Sequence, residues 1–340
     1  MQLLHEHEYH CLTVADVVEE TPDTRSFVLE IPAALEETFT YAAGQFCTFR
    51  AMIDGESVVR CYSMSSSPDI PDPFMTTVKR VAGGRMSNWM IDTLAPGDPI
   101  EMLRPSGLFV LHDNGTPIVA FAGGSGITPV ISIIKSALAT TERRIVLVYA
   151  NRNADSIIFA DELERLCSMS NGRLSVHHHL DSDRGFLDRQ QCAALAGDDA
   201  GADFYLCGPG PYMDTVEAGL STVGVPSHRV FIERFILPEP AAPDGGASVT
   251  ESLVIRLEHG ETTVDYRAGD TVLESARRAG LSPPFSCEQG NCATCMAHLE
   301  EGTVTMRVNN ALSPDEVDDG WVLTCQALPT GPKVIVDYDA

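Results

Sequence analysis

The run Ser286–Cys295 reads SCEQGNCATC and places three cysteines, Cys287, Cys292 and Cys295, within nine positions. Small residues, Gly290, Asn291 and Ala293, lie between them. Cysteine at this density serves disulfides, a zinc site or an iron–sulfur cluster. Each needs a different protein around it, so the choice governs how the rest of the chain is read.

A chain of 340 residues holds two or three domains and needs no covalent staples to form a core. With 44% apolar and 21% charged residues, it has a soluble, globular composition. The opening MQLLHEHEYH has no basic start and no long apolar stretch. Neither a signal peptide nor a membrane span is expected, and the location expected is the cytoplasm. Ten cysteines in such a chain then argue against a disulfide framework. The net charge of −25 disfavours nucleic acid and anionic membranes as partners, and suits a basic one.

Three blocks follow from rhythm. Residues 1–112 carry short runs rich in Val, Thr, Phe and Tyr (LTVADVV, SFVLEI, FCTFRAM, MTTVKRV, DPIEML), parted by Pro, Gly and Asp. That pattern predicts an antiparallel barrel or sandwich, interrupted by one helix at MSNWMIDTL. Residues 113–236 alternate five strand-like runs with helical ones, which predicts a parallel, doubly wound sheet. The stretch 237–250, LPEPAAPDGGASVT, has no apolar period and is expected to be a linker. Residues 251–340 begin with a predicted hairpin and a short helix, TVLESARRAG, before the cysteine run and a strand-rich tail.

The cysteine spacing is Cys287-x4-Cys292-x2-Cys295, with Cys325 following in VLTCQ. This is the plant-type [2Fe–2S] spacing. Thiolates from one tight loop wrap the irons, Gly290 permits close approach, and the fourth thiolate is expected from a hydrophobic strand. Zinc remains the alternative, although it favours two C-x2-C pairs and only one is present.

A cluster moves one electron at a time, so a donor or acceptor is expected nearby. RCYSMSSSP supplies Arg60, Tyr62 and Ser63: an arginine for a phosphate, an aromatic to stack on a flat ring, a hydroxyl for its edge. GGRMSNWM puts Gly84, Arg85, Met86 and Ser87 at a helix start, where free N–H groups favour an anion. AFAGGSGITPV sets Gly123, Gly124, Gly126 and Thr128 between a strand and a helix, suited to a pyrophosphate. The plain alternatives are a surface arginine and a capping serine.

These motifs, in this order, resemble the ferredoxin–NADP reductase superfamily, whose R-x-Y-S, G-x-x-S and G-G-x-G-x-x-P patterns they match, while the last block resembles a plant-type ferredoxin. The resemblance implies a flavin-binding β-barrel, an NAD(P)-binding α/β domain and a β-grasp [2Fe–2S] domain. It implies FAD, with FMN the alternative, held by Arg60, Tyr62, Ser63, Gly84, Arg85, Met86, Ser87 and Phe235. NADH or NADPH would meet Gly123, Gly124, Gly126, Thr128, Arg152, Cys207, Gly208 and Pro209. Ser63, Cys207 and Glu233 would surround hydride transfer, and Cys287, Cys292, Cys295 and Cys325 would hold the cluster. The plain alternatives are Cys207 as a small buried hydrophobe, Glu233 as a rim charge and Phe235 as core. Arg152 meets a 2′-phosphate in an NADPH enzyme or adenine in an NADH one; the expectation is NADH.

With the ferredoxin block at the C-terminus, the chain resembles reductase components of bacterial multicomponent oxygenases. The likeness is to 3-ketosteroid 9α-hydroxylase reductases, which serve a Rieske-type oxygenase, and to phenylacetyl-CoA oxygenase reductases. YANRNADSIIF, PPFSCEQGNC and VNNALSPDEVDDGWVLTCQ carry it. A separate oxygenase docking near the cluster is implied, and the chain is expected to be a monomer. A general electron-transfer module and a non-catalytic redox sensor are the other classes. His177, His178 and His179 alternate faces of a predicted strand and so do not converge on a metal. His5, His7 and His10 are expected in a frayed terminus, and Cys11, Cys47, Cys61, Cys167 and Cys192 in packing.

Overall fold

The structure, a computed structural model, describes residues 9–197, 201–235, 250–285, 288, 290, 293–309 and 311–340. The expected linker, apart from Thr250, and the ligands Cys287 and Cys292 lie outside the described residues, as do His5 and His7. Two compact units are present, one built from residues 9–105 and 109–235 and the other from residues 106–108 and the described part of 250–340.

The first unit opens with β1 (His10–Thr21), β2 (Thr24–Glu30), β3 (Phe46–Ile53), β4 (Glu56–Ser63), β5 (Met75–Lys79), helix α1 (Arg85–Thr93) and β6 (Pro99–Met102). The six strands pair antiparallel in the order β4-β3-β6-β1-β2-β5. Just beyond β4, Met64 bridges Thr76 of β5 and the Ser65 N–H donates to the Met75 carbonyl at 2.9 Å. That contact joins the two edge strands and closes the sheet into a barrel, leaving no open edge there. Leu12, Phe27, Phe49 and Met102 fill its core, and α1 adds Met86, Met90 and Ile91 from one face.

Then come β7 (Ile118–Gly123), α2 (Ile127–Thr140), β8 (Ile145–Asn151), α3 (Ala160–Met169), β9 (Leu174–Leu180), the single turn α4 (Asp181–Arg184), α5 (Arg189–Ala196), β10 (Asp203–Gly208), α6 (Gly210–Thr222) and β11 (Val230–Arg234). The five strands are parallel, in the order β11-β10-β7-β8-β9. Alternate residues of β7 face opposite ways: Ile118, Ala120 and Ala122 pack toward α2 and α3, while Val119 and Phe121 pack toward α5 and α6. Both faces are covered, so the strands are apolar throughout. The chain reverses its direction of travel between β7 and β10, which opens a crevice at their C-terminal ends.

Polar contacts join barrel and sheet. Lys135 of α2, almost wholly buried, donates to Asp72 at 2.9 Å and to the Ser65 carbonyl at 3.3 Å. Ser132 donates to the Ser66 carbonyl at 2.6 Å, and Ser67 and Ser136 hydroxyls meet at 2.7 Å.

The second unit contains β12 (Ser252–Leu257), β13 (Gly260–Val264), α7 (Val272–Arg278), β14 (Met296–Glu301), β15 (Val304–Met306), α8 (Pro314–Asp318), β16 (Trp321–Leu323), β17 (Ala327–Pro329) and β18 (Lys333–Asp337). Its mixed sheet runs β13-β12-β18-β14-β16 with only β12 and β18 parallel, the β-grasp arrangement, and α7 packs Val272 and Ala276 onto it. A capping box between Thr271 and Glu274 starts α7, and Arg277 and Arg278 complement its C-terminal dipole.

Several expectations change. β4 was not foreseen as a strand; its residues alternate poorly between buried and exposed. His10 is not frayed but opens β1, its ring edge-on to Phe39 at 5.5 Å. Cys11 is exposed, and Cys325 lies in a turn after β16 rather than in a strand. The three histidines do fall on β9, where His179 alone is buried and bonds the Gly185 carbonyl at 2.7 Å. Among the described residues no helix is long and apolar enough to cross a membrane.

Candidate functional site

At the barrel, β4 delivers Arg60, Tyr62 and Ser63 in succession. The Ser63 hydroxyl is buried and finds no partner among the described residues. A buried hydroxyl left unmatched costs about 1–3 kcal/mol, so it points to a polar group that completes it. The edge of a flavin fits. Tyr62 packs its ring 5.8 Å from that of Phe49, and burial pushes its hydroxyl pKa up. Arg60 donates to the neighbouring Val59 carbonyl at 2.6 Å.

Gly84 is the N-cap of α1, which leaves the first-turn N–H groups of Arg85, Met86 and Ser87 at a helix start. The side chains there do structural work. Arg85 pairs with Glu56 at 2.6 Å and donates to the Ile53 carbonyl, Met86 is core, and the Ser87 hydroxyl accepts from the Val81 N–H at 3.2 Å. An anion at this start is therefore left to backbone donors.

A cleft of about 630 Å³ lies across the C-terminal ends of the parallel strands. Gly123, Gly124, Arg152, Gly208, Pro209 and Phe235 line it. Gly124 has a φ of +52°, with open space where a side chain would point. Its backbone is thus free for a phosphate to approach. Gly126 has another reason to be glycine: a Cβ there would lie 2.1 Å from the Cys207 carbonyl oxygen. It lets α2 dock on β10 and is buried. Thr128 is also buried, its hydroxyl donating to the Ser125 carbonyl at 3.0 Å. Gly126 and Thr128 shape the turn and do not line the cleft.

Cys207 and Glu233 are register partners on β10 and β11. Both are buried, and they share the sheet face of Tyr205 and Phe231, which packs toward α2. Burial pushes the Glu233 carboxyl up to about 8, so it is protonated at neutral pH. Burial, then the neighbouring Glu233, raises the Cys207 thiol well above its ordinary range. Glu233 is therefore no rim charge, and Phe235, 46% exposed, is no core residue.

Sequence reasoning passed over Asn151. It ends β8, lines the cleft, is 4% exposed, and both polar atoms of its amide are buried without a partner among the described residues. Nothing in its residue type marks it; only its place at a strand end facing a crevice does. Asp181, Phe186 and Tyr212 line the same cleft and were also missed.

In the second unit Cys295 and Cys325 are buried in one apolar cluster with Leu273, Leu312 and Leu323. Thr324 ties them, donating through its N–H and its hydroxyl to the Cys295 carbonyl at 3.1 and 2.8 Å. Two shielded thiols on adjoining segments fit a soft-metal donor set.

Residues 11–111 match an oxidoreductase FAD-binding domain, 121–218 an oxidoreductase NAD-binding domain, and 255–330 a 2Fe-2S iron-sulfur cluster binding domain. The chain is 39% identical to the ferredoxin reductase component of 3-ketosteroid-9-alpha-monooxygenase from Rhodococcus rhodochrous, over 96% of both chains. The chain belongs to the reductase components of multicomponent oxygenases. It is 33% identical to a 1,2-phenylacetyl-CoA epoxidase subunit of Escherichia coli K12, over 98% of both. Phthalate dioxygenase reductase shares its fold, with a TM-score of 0.62 and 26% identity, over 97% of this chain and 98% of that one. In this reductase electrons pass from NAD(P)H through FAD to a [2Fe–2S] cluster, the flavin being what lets a two-electron donor feed a one-electron carrier.

Proposed function

We propose that the reductase serves the terminal oxygenase of a 3-ketosteroid 9α-hydroxylase system, a Rieske-type protein that docks near the cluster. The 39% identity to such a component, sustained over 96% of both chains, carries this reading. The domains run 1–112 for FAD, 113–236 for the nucleotide, 237–250 as linker and 251–340 for the cluster. Cys287, Cys292, Cys295 and Cys325 hold the irons. Ser63, Cys207 and Glu233 surround hydride transfer: Ser63 hydrogen-bonds the flavin edge, protonated Glu233 offers a donor, and Cys207 supplies a small apolar wall. Arg60, Tyr62 and the α1 start (Gly84, Arg85, Met86, Ser87) hold the rest of FAD, and Phe235 covers its ring.

Gly123, Gly124, Gly208 and Pro209 take the dinucleotide, with Gly126 and Thr128 shaping the turn beneath. NADH is the donor. Arg152 is already paired with Asp23 at 2.8 Å, and the Asp181 carboxylate lines the same cleft, so a 2′-phosphate would meet an engaged cation and a like charge. The protein acts as a monomer in the cytoplasm.

Reconstitution tests the partner. Product formation with NADH and a 3-ketosteroid 9α-hydroxylase oxygenase is expected to outpace that with a phenylacetyl-CoA oxygenase; the reverse order would move the assignment to the second system.

A further inference from the structure

Cys325 stands apart from the cysteine run, in the turn between β16 and β17, and both of its neighbours reach back toward that run. Thr324 holds the Cys295 carbonyl, as described. Gln326, 6% exposed, donates from Nε2 to the Glu288 carbonyl at 2.9 Å, and the same Nε2 lies 3.6 Å from the Cys325 sulfur. A carbonyl oxygen only accepts, so the contact to Glu288 orients the amide: its NH2 end, not its oxygen, faces both groups. Its Nε2 carries two hydrogens, enough for both acceptors.

Gly290 lies against the same side chain. A Cβ there would be 3.1 Å from Gln326 Cγ and 2.7 Å from the Val308 carbonyl oxygen, and its φ is +75°. Arg277 pairs with the Glu288 carboxylate at 3.1 Å. The Gln326 amide is thus a fixed donor rather than a roaming one.

We propose that Gln326 is a positioning residue of the cluster, its side-chain NH2 joining the cysteine run at Glu288 to the Cys325 thiolate and raising the cluster's reduction potential. The inference rests on reading Cys295 and Cys325 as cluster ligands. Reduction adds negative charge that is shared with the ligand sulfurs, so an N–H aimed at one of them stabilises the reduced form more than the oxidised form. A residue that merely filled space would be replaceable by an apolar side chain of similar length without moving the potential.

The test is a redox titration of the full-length holoprotein, followed by electron paramagnetic resonance, for wild type, Gln326→Leu and Gln326→Met. NADH-driven ferricyanide reduction, which draws on the flavin, checks the first unit of each variant, and iron analysis checks the second, where Gln326 lies. At the wild-type midpoint, where oxidised and reduced clusters are equal, the variants are expected to hold about threefold or more oxidised over reduced cluster. An unchanged or raised potential in a variant with full iron overturns the proposal. Gln326→Ala removes the amide without adding bulk or charge and replaces the longer apolar variants if they lose iron; it must also lower the potential. Wild-type protein without iron would instead refute the ligand reading, a separate outcome.

Discussion

Glu233 illustrates how one side chain links fold to chemistry. Its carboxyl is raised to about 8 by burial, against an ordinary value of 4.5. The folded protein therefore holds a proton there that the unfolded chain releases between these two values. Stability from this group is full below pH 4.5 and is lost as pH rises toward 8, at about 1.4 kcal/mol per unit. Glu233→Gln removes that slope, so the variant's gain in thermal midpoint over wild type should grow from pH 5 to pH 8. A constant difference across that range would show that Glu233 is ionised in the fold. The two glycines separate just as cleanly. Gly126→Ala drives a methyl into the Cys207 carbonyl and should cost about 3 kcal/mol or more. Gly124→Ala meets no atom, and its left-handed φ alone costs about 1–2 kcal/mol. Urea midpoints for both variants check the order.

Among the elements, β10 anchors the nucleotide unit. Asp203 at its start is 1% exposed and pairs with Arg143 at 2.7 Å and Arg229 at 3.2 Å. Arg143 is equally buried and also donates to the carbonyls of His112 and Thr116. Asp203→Ala strands a buried guanidinium, and a loss of about 3–5 kcal/mol is expected from denaturant titration. A loss below about 1 kcal/mol would mean water reaches the pair.

The elements also show what the sequence makes legible. Strands β7, β8 and β10 are apolar on both faces because helices cover both, and such runs stand out. β4 does not: half of it faces partly open space, and Arg60 and Tyr62 read as ligands before they read as a strand. The glycine turn was found by its motif, yet the motif did not separate Gly124, open to a ligand, from Gly126, pressed on β10. That distinction depends on an atom 81 residues away in the chain, and no local pattern carries it. Asn151 escaped for the same reason: an unmatched amide becomes visible only once the cleft around it exists.

At the level of the whole molecule, the flavin stage belongs to the first unit and the cluster stage to the second. Cys295→Ser should leave NADH-driven dye reduction close to wild type and abolish electron delivery to the oxygenase. Loss of dye reduction in a folded variant would break that separation. The most direct measurement is electron paramagnetic resonance on anaerobic protein reduced with NADH alone, with spins counted against chains. The expected result is a [2Fe–2S] signal approaching one spin per chain, absent in Cys295→Ser. A flavin that bleaches with NADH while no cluster signal forms in wild type would contradict the relay.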